Sequence, residues 1–427
     1  MGALAQENIK HTDKPASGFK RYLKILGPGF ITGASDDDPS GIATYSIAGA
    51  QFGTAMLYTS WITWPLLAAV QMMCARIGMV TGEGLTRSLS KKFPKSIILI
   101  ICCGLFVANT INIAADISGM ADAAGLIFKI NPAFYMILFG VMIGYAVVKF
   151  HYDQIAKILK WLAFSLMAYV LAAILLHPDW ADVMRKTFTI SPPKTQEGWK
   201  TLVAILGTTI SPYLFFWQAA QEVECEKKEY GETRPGATAQ ELSDKRIDIT
   251  AGALLSNVVM FFIILTTALT LHKQGMTNIQ SAKEAAQALQ SIAGSYSALL
   301  YTVGIITVGF LAIPTLAGST AYMFADVFYL PQGLDKKFNR AKAFYTIILF
   351  SVLCGILLDM MKFNPMQLLF WTAIINGIVA PFMLVGILII SRDRKIMKDQ
   401  PSSVLNQVVV GIATIAMFLA AISMFVL

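Results

Sequence analysis

The sequence predicts an all-helical polytopic membrane protein built as two inverted five-helix repeats plus an eleventh helix. Three observations carry this reading. Of the 427 residues, 56% are hydrophobic and only 14% are charged, far more apolar than a soluble domain. Apolar runs of about 20 residues recur along the whole chain, each long enough to cross a bilayer. Two of these runs are interrupted by helix-breaking residues at corresponding places in the two halves.

Taken in order, the spans fall near 25–51, 55–79, 96–128, 132–149, 155–176, 199–224, 248–272, 292–328, 342–361, 365–390 and 404–427. Residues 1–24 form a polar N-terminal tail with no apolar signal-peptide core, so the first run is expected to stay as a membrane helix. Spans 1–5 (25–176) make the first repeat, spans 6–10 (199–390) the second, and 404–427 is the additional span. An inside N-terminus leaves 26 of the 34 Lys and Arg residues on the cytoplasmic side, and an odd span number puts the C-terminus outside. The expected location is therefore the cell membrane. The net charge of +8 then reflects topology and contact with the lipid bilayer, and gives no reason to invoke nucleic acid.

The soluble segments exclude other classes. The longest, about 225–247, is too short to be a domain, and there is no phosphate-cradling glycine loop or Ser/His/Asp arrangement, so the chain does not read as an enzyme. The five cysteines form no CxxC pair, and His11, His151, His177 and His272 sit near span ends or in the tail, a pattern unlike a zinc site. Nothing calls for a resident cofactor. The 20 methionines read as gap-filling and lipid-facing side chains.

The first interruption, "ITGASDDDPSGIATYS", places Asp36, Asp37 and Asp38 before Pro39, Ser40 and Gly41 in mid-span. A charge at the bilayer centre costs roughly 2.5–3.5 kcal/mol even on the lenient insertion scale. The second, "LVAILGTTISPYLFFWQ", has Gly207, Thr208, Thr209, Ser211 and Pro212 at its middle. Unwound backbone in a membrane needs protein, water or substrate to satisfy its polar groups, and a cation satisfies free carbonyls and an aspartate together. Matching breaks in two halves point to an inverted-repeat transporter whose site lies where they meet. Asp38 is the expected direct ligand. Asp36 and Asp37 support it from behind, line a vestibule, or bond the free amides of the second half-helix.

Other polar residues in the spans allow two readings each. Asn109, Asn112 and Asp116 share one face of the third span, either as the lining of an ion path or as hydrogen bonds between helices. Asp122 lies on another face and reads as structural. Asn376, in "IINGIVAP", is an oxygen ligand or a helix–helix bond. In "WQAAQEVE", Gln218 and Glu222 lie at i and i+4 and either line an inner vestibule or belong to a solvated helix end.

These stretches resemble the Nramp divalent-metal transporters. "DPSGIAT" is similar to the DPGN break of that family, "GTTISPY" to its MPH break, and "AADISGMADAAGLIF" to its D-x-x-E helix; the span count and order agree as well. The resemblance implies a LeuT-type fold of ten core helices plus one. It also implies inward transport of transition-metal ions together with protons by alternating access, with Asp38 and the Thr208 backbone carbonyl as metal ligands. Four positions depart from the family: Gly41 replaces its asparagine, Ser211 its methionine, Tyr213 its histidine, and Gly119 the glutamate after Asp116. With no thioether, the ligand set Asp38, Thr208 and Ser211 is all oxygen, which suits a hard ion such as Mg2+ as well as Mn2+. Gly41, Ser211 and Asn376 complete the expected binding site, and Asp37, Ser40, Asn112, Asp116, Tyr213 and Gln218 the path.

Tyrosine and glycine do not exchange protons near neutral pH, so transport without proton coupling is expected. This pattern resembles the Nramp-related magnesium-transporter branch more than the proton-coupled manganese and iron carriers. The alternative on the same scaffold is Na+-coupled uptake of a small anion such as bicarbonate, with Asp38 holding the coupling cation and a half-helix N-terminus facing the anion. The sequence carries no statement about oligomeric state.

Overall fold

The computed structural model describes residues 27–150, 166–231, 236–361 and 363–426. The tail 1–24 and the first part of the fifth span, 155–165, lie outside the described residues, as does the C-terminal Leu427. Every long element among the described residues is a helix. In chain order these are α1 (Pro28–Asp36), α2 (Pro39–Phe52), α3 (Tyr58–Thr81), α4 (Leu85–Ser90), α5 (Lys95–Gly125), α6 (Pro132–Lys149), α7 (Met167–Leu175), α8 (Trp180–Phe188) and α9 (Gln196–Thr209). They continue with α10 (Pro212–Tyr230), α11 (Ala239–Leu269), α12 (Ala282–Gln287), α13 (Ser297–Val327), α14 (Lys342–Asp359), α15 (Pro365–Arg392) and α16 (Val404–Val426).

Eight helical segments among the described residues are long and apolar enough to cross a membrane. The first span is divided into α1 and α2, and the shorter α14 occupies the ninth.

The two breaks share one backbone solution. Asp38 is extended (φ −68°, ψ 171°) and Pro39 opens α2; Ser211 is extended (φ −77°, ψ 132°) and Pro212 opens α10. Proline forces the residue before it out of the helical region and is itself pre-set for the first helical position, so each Xaa-Pro pair ends one half-helix and starts the next. Asp38 and Ser211 therefore hold equivalent places.

Close backbone approach fixes the half-helices that precede the breaks. A Cβ on Gly33 would lie 2.3 Å from the Gly252 carbonyl carbon, so α1 crosses α11 at bare backbone. Likewise a Cβ on Gly207 would lie 2.2 Å from the Gly377 amide nitrogen, where α9 crosses α15. Small residues are what allow helices to approach this far in a membrane, where packing and hydrogen bonds replace the hydrophobic drive.

The breaks sit inside this bundle. α5 packs on α13 and α14 behind them, while α2, α5, α9 and α15 surround them. The outward faces of α5, α6, α14 and α16 present Ile100, Val141, Phe350 and Ile415, all more than half exposed, as an apolar lipid-facing surface. At one loop end, Lys92 pairs with Asp393 at 2.8 Å, and that hydrogen bond holds the Asp393 carboxyl below its ordinary range.

Candidate ion-binding site

Asp38 is the N-cap of α2. Its Oδ1 accepts the Gly41 amide at 2.7 Å and the Ser40 hydroxyl at 2.8 Å, satisfying donors that a helix start leaves open. Its Oδ2 accepts Asn112 Nδ2 at 3.2 Å. The same amide nitrogen lies 3.1 Å from Asp116 Oδ2, and Asn112 Oδ1 accepts Asn376 Nδ2 at 3.2 Å. One hydrogen-bonded chain thus joins α2, α5 and α15. Asp38 is 2% exposed and Asn112 and Asp116 are fully buried, so the structure is closed around this carboxylate.

The second break meets the first across Gly41. A Cβ at Gly41 would stand 3.1 Å from Thr208 Oγ1 and 3.5 Å from Asp38 Oδ1, so glycine leaves open the space between the aspartate and the threonine. Thr208 Oγ1 is buried with no hydrogen-bond partner among the described residues, and the same is true of Asp116 Oδ1. Ser211 Oγ lies 2.7 Å from the Gly207 carbonyl and 2.8 Å from that of Thr208, so its hydroxyl hydrogen serves the last turn of α9. A half-helix C-terminus bears partial negative charge, and α1 and α9 both end here. Carboxylates, carbonyl ends and hydroxyl oxygens together make a field that favours a cation.

The structure separates residues that share a helix face. Asn109, a turn before Asn112, donates to Ser319 Oγ at 3.1 Å and Thr320 Oγ1 at 2.9 Å and so ties α5 to α13. Asn112 and Asp116 turn to Asp38. Asp122 accepts the Ala282 amide at 3.0 Å and caps α12. Tyr213 donates to the Ser35 carbonyl at 3.2 Å, linking α10 to the last turn of α1. Gln218 does not reach Asp38; its amide donates to Glu222 at 2.6 Å. Glu222 is 3% exposed and is no solvated helix end, because Lys245 pairs with it at 3.1 Å. Lys245 also pairs with Asp248 at 3.2 Å, and Asp248 accepts the Gly27, Gly29 and Phe30 amides at 2.8–2.9 Å, capping α1.

Ser256, which sequence reasoning did not single out, is the partner of the two remaining acids. Its hydroxyl lies 2.8 Å from Asp36 Oδ2 and 3.2 Å from Asp37 Oδ1. The available signal was a polar Ser-Asn pair inside the otherwise apolar "GALLSNVVMFF" run. A cavity of about 700 Å³ lies away from Asp38 at the far end of α2, among Phe52, Asp179, Asp182, Arg185 and His272.

The chain matches a family model described as natural resistance-associated macrophage protein-like, over residues 29–427. It belongs to the Nramp family. A relative named divalent metal cation transporter MntH, from Caldanaerobacter subterraneus subsp. tengcongensis, is 25% identical over 416 residues, covering 94% of this chain and 92% of the relative. The manganese transporter of Eremococcus coleocola, solved with an aromatic bis-isothiourea substituted compound, superposes with a TM-score of 0.73 at 18% identity, covering 98% of this chain and 90% of that one. Mhp1, a nucleobase-cation-symport-1 family transporter, superposes with a TM-score of 0.59 at 12% identity, covering 94% and 89%. The bundle therefore has the LeuT-type transporter fold, and this Nramp-family chain is a multi-pass membrane metal-ion transporter, not an enzyme.

Proposed function

We propose that this Nramp-family protein carries a divalent cation, Mg2+ or Mn2+, into the cytoplasm by alternating access and without proton coupling. The reading rests on one observation: Asp38, at the start of one half-helix, faces the unpartnered Thr208 hydroxyl across Gly41. The MntH relative and the manganese transporter support a divalent substrate by their names.

In this reading Asp38 supplies the charge, and Thr208, Ser211 and Asn376 supply neutral oxygens. Gly41 leaves room for retained water. Asp37, Ser40, Asn112, Asp116, Tyr213 and Gln218 line or shape the path. No group of three or more His, Cys, Asp or Glu side chains poised to hold a metal occurs among the described residues. A partly hydrated ion held by one carboxylate and neutral oxygens matches the coordination habits of Mg2+, which dehydrates reluctantly. No sulfur ligand then separates soft from hard ions. Tyr213 and Gly119 stand where the resemblance expects a histidine and a glutamate, which is the basis for the absence of proton coupling. The Lys- and Arg-rich loops give the orientation, with the N-terminus cytoplasmic and the C-terminus outside, and the spans 25–176 and 199–390 form the two repeats.

The test is uptake into proteoliposomes of wild type and Asp38→Ala with Mg2+, Mn2+ or bicarbonate, with and without a Na+ gradient. Divalent uptake lost in the variant supports the reading. A Na+-dependent bicarbonate flux with no divalent uptake overturns it.

A further inference from the structure

A cavity of about 320 Å³ lies between α3, α11 and α16, remote from the breaks. It is lined by Arg76 from α3, Arg246 from α11, and Ser402, Ser403 and Asn406 at the start of α16, with apolar walls that include Leu405. No carboxylate is among its lining residues. Arg76 Nε donates to the Gln400 carbonyl at 3.1 Å, which holds one guanidinium at the rim. Arg246 is exposed and has no ion pair among the described residues. Two cations facing one cavity repel each other unless an anion lies between them.

Two further features point to an anion. Ser402 is 3% exposed, lines the cavity, and its Oγ has no hydrogen-bond partner among the described residues. The first turn of the 23-residue α16 opens at the same place with the positive end of its dipole, where Ser403 Oγ accepts the Asn406 amide at 3.3 Å. Arginine is the side chain suited to phosphate oxygens, because its planar fork donates two parallel hydrogen bonds.

The polar groups are only the floor of the cavity. Trp64, Pro65, Met72, Leu405 and Val409 continue it along the helices, and Leu405 is 75% exposed on the lipid-facing side. Trp64 donates its indole N–H to the Thr250 carbonyl at 3.3 Å, which fixes an amphipathic ring between the polar and apolar parts. The loops that precede α11 and α16 and follow α3 are the Lys- and Arg-rich ones, so the cavity sits at that surface of the membrane. A basic pocket between helices at this depth fits a lipid headgroup with its acyl chain beside it.

We propose that this cavity is a binding site for an anionic phospholipid, with its phosphate between Arg76, Arg246 and Ser402 and an acyl chain along Leu405 and Val409. The site is independent of the transport reading, since none of its residues touches Asp38.

Native mass spectrometry of the purified full-length protein, titrated with phosphatidylglycerol, tests it. Wild type is expected to retain phosphatidylglycerol in preference to phosphatidylcholine. Arg246→Gln, which leaves the Arg76–Gln400 contact in place, is expected to bind about fivefold more weakly, and Arg76→Gln/Arg246→Gln about 25-fold. Ser402→Ala should also weaken retention without changing the guanidinium charge. Equal retention of the two lipids, or undiminished phosphatidylglycerol retention in folded Arg246→Gln and Ser402→Ala proteins, overturns the proposal. Inorganic phosphate displacing the lipid at equal concentration also overturns it, since the cavity is then a free-anion site.

Discussion

Asn112 Nδ2 lies 3.2 Å from Asp38 Oδ2, so a neutral carboxamide on α5 orients the carboxylate at the start of α2. The amide also reaches Asp116 and receives Asn376, so the position of Asp38 is coupled to two other helices. A hydrogen bond to a charged group contributes about 1.5–3 kcal/mol. Asn112→Ala is therefore expected to weaken divalent-ion binding by roughly tenfold or more while the protein still inserts. Isothermal titration with Mn2+ checks this, and unchanged affinity in the variant counts against Asn112 as an orienting residue.

Asp38→Ala removes the one charge of the proposed ligand set, and uptake should fall to the background of empty liposomes. Monodisperse elution of the purified variant separates loss of function from loss of fold. Near wild-type uptake by folded Asp38→Ala protein sinks the site.

Both breaks were legible because proline acts locally: "DDDPSG" and "TTISPY" end and restart helices whatever surrounds them. The N-cap of α2 was less legible: the sequence offers bonding of the free amides as one role of Asp36 and Asp37, whereas Asp38 accepts the Gly41 amide and the other two acids meet Ser256. The partners of polar residues along uninterrupted helices were less legible too. Asn109 and Asn112 lie three apart on α5, yet one bonds α13 and the other Asp38, because the choice depends on where neighbouring helices pass. The pairing of Ser256 with Asp36 and Asp37 depends on the Gly33–Gly252 crossing, a long-range contact that no local pattern encodes.

Ser256 has one hydroxyl hydrogen to offer two buried carboxylates, and Asp36 Oδ1 has no hydrogen-bond partner among the described residues. Ser256→Ala takes away this shared donor and should destabilise the protein by about 1–3 kcal/mol, the cost of leaving a buried polar group unsatisfied. Thermal unfolding in detergent measures it, with Ser256→Thr, which restores a hydroxyl, expected to recover part of the loss. An unchanged midpoint in Ser256→Ala contradicts the assignment.

Lys245 joins Glu222 on α10 to Asp248, which caps α1, and its side chain is only 14% exposed. Removing one member of a buried ion pair strands the other charge, at a cost of about 3–5 kcal/mol. Lys245→Met is expected to lower the unfolding midpoint and to loosen α1 from α11. Faster hydrogen exchange of the Gly29 and Phe30 amides is the specific readout. Protection equal to wild type in those amides argues against Lys245 helping Asp248 to hold the start of α1.

Transport should leave the lumenal pH unchanged. Tyr213 donates to the Ser35 carbonyl, and a Cβ on Gly119 would stand 3.0 Å from Leu369 Cδ1, so neither position holds a group that exchanges protons near neutral pH. A pH-sensitive dye trapped in the liposomes reports the result. Proton flux comparable to the divalent-ion flux refutes uncoupled transport.

In the proposed function, selectivity is expected to depend on Ser211, the counterpart of Asp38 in the second break. Its short side chain folds back on the carbonyls of Gly207 and Thr208, leaving hydroxyl and carbonyl oxygens on that side of the site. Oxygen donors suit Mg2+ and Mn2+, whereas a thioether prefers softer ions. Ser211→Met deletes the hydroxyl that bonds the last turn of α9, introduces a polarizable sulfur, and fills space that a hydrated ion needs. The variant is expected to bind Cd2+ at least tenfold more tightly than wild type and to lose most of its Mg2+ uptake, since one soft ligand shifts preference by an amount on the order of 1.4 kcal/mol. Titration with Cd2+ and parallel Mg2+ and Mn2+ uptake check both halves. If Ser211→Met keeps wild-type Mg2+ uptake and gains no Cd2+ affinity, residue 211 does not face the ion, and hard-ion tolerance must come from Gly41 and Thr208 instead.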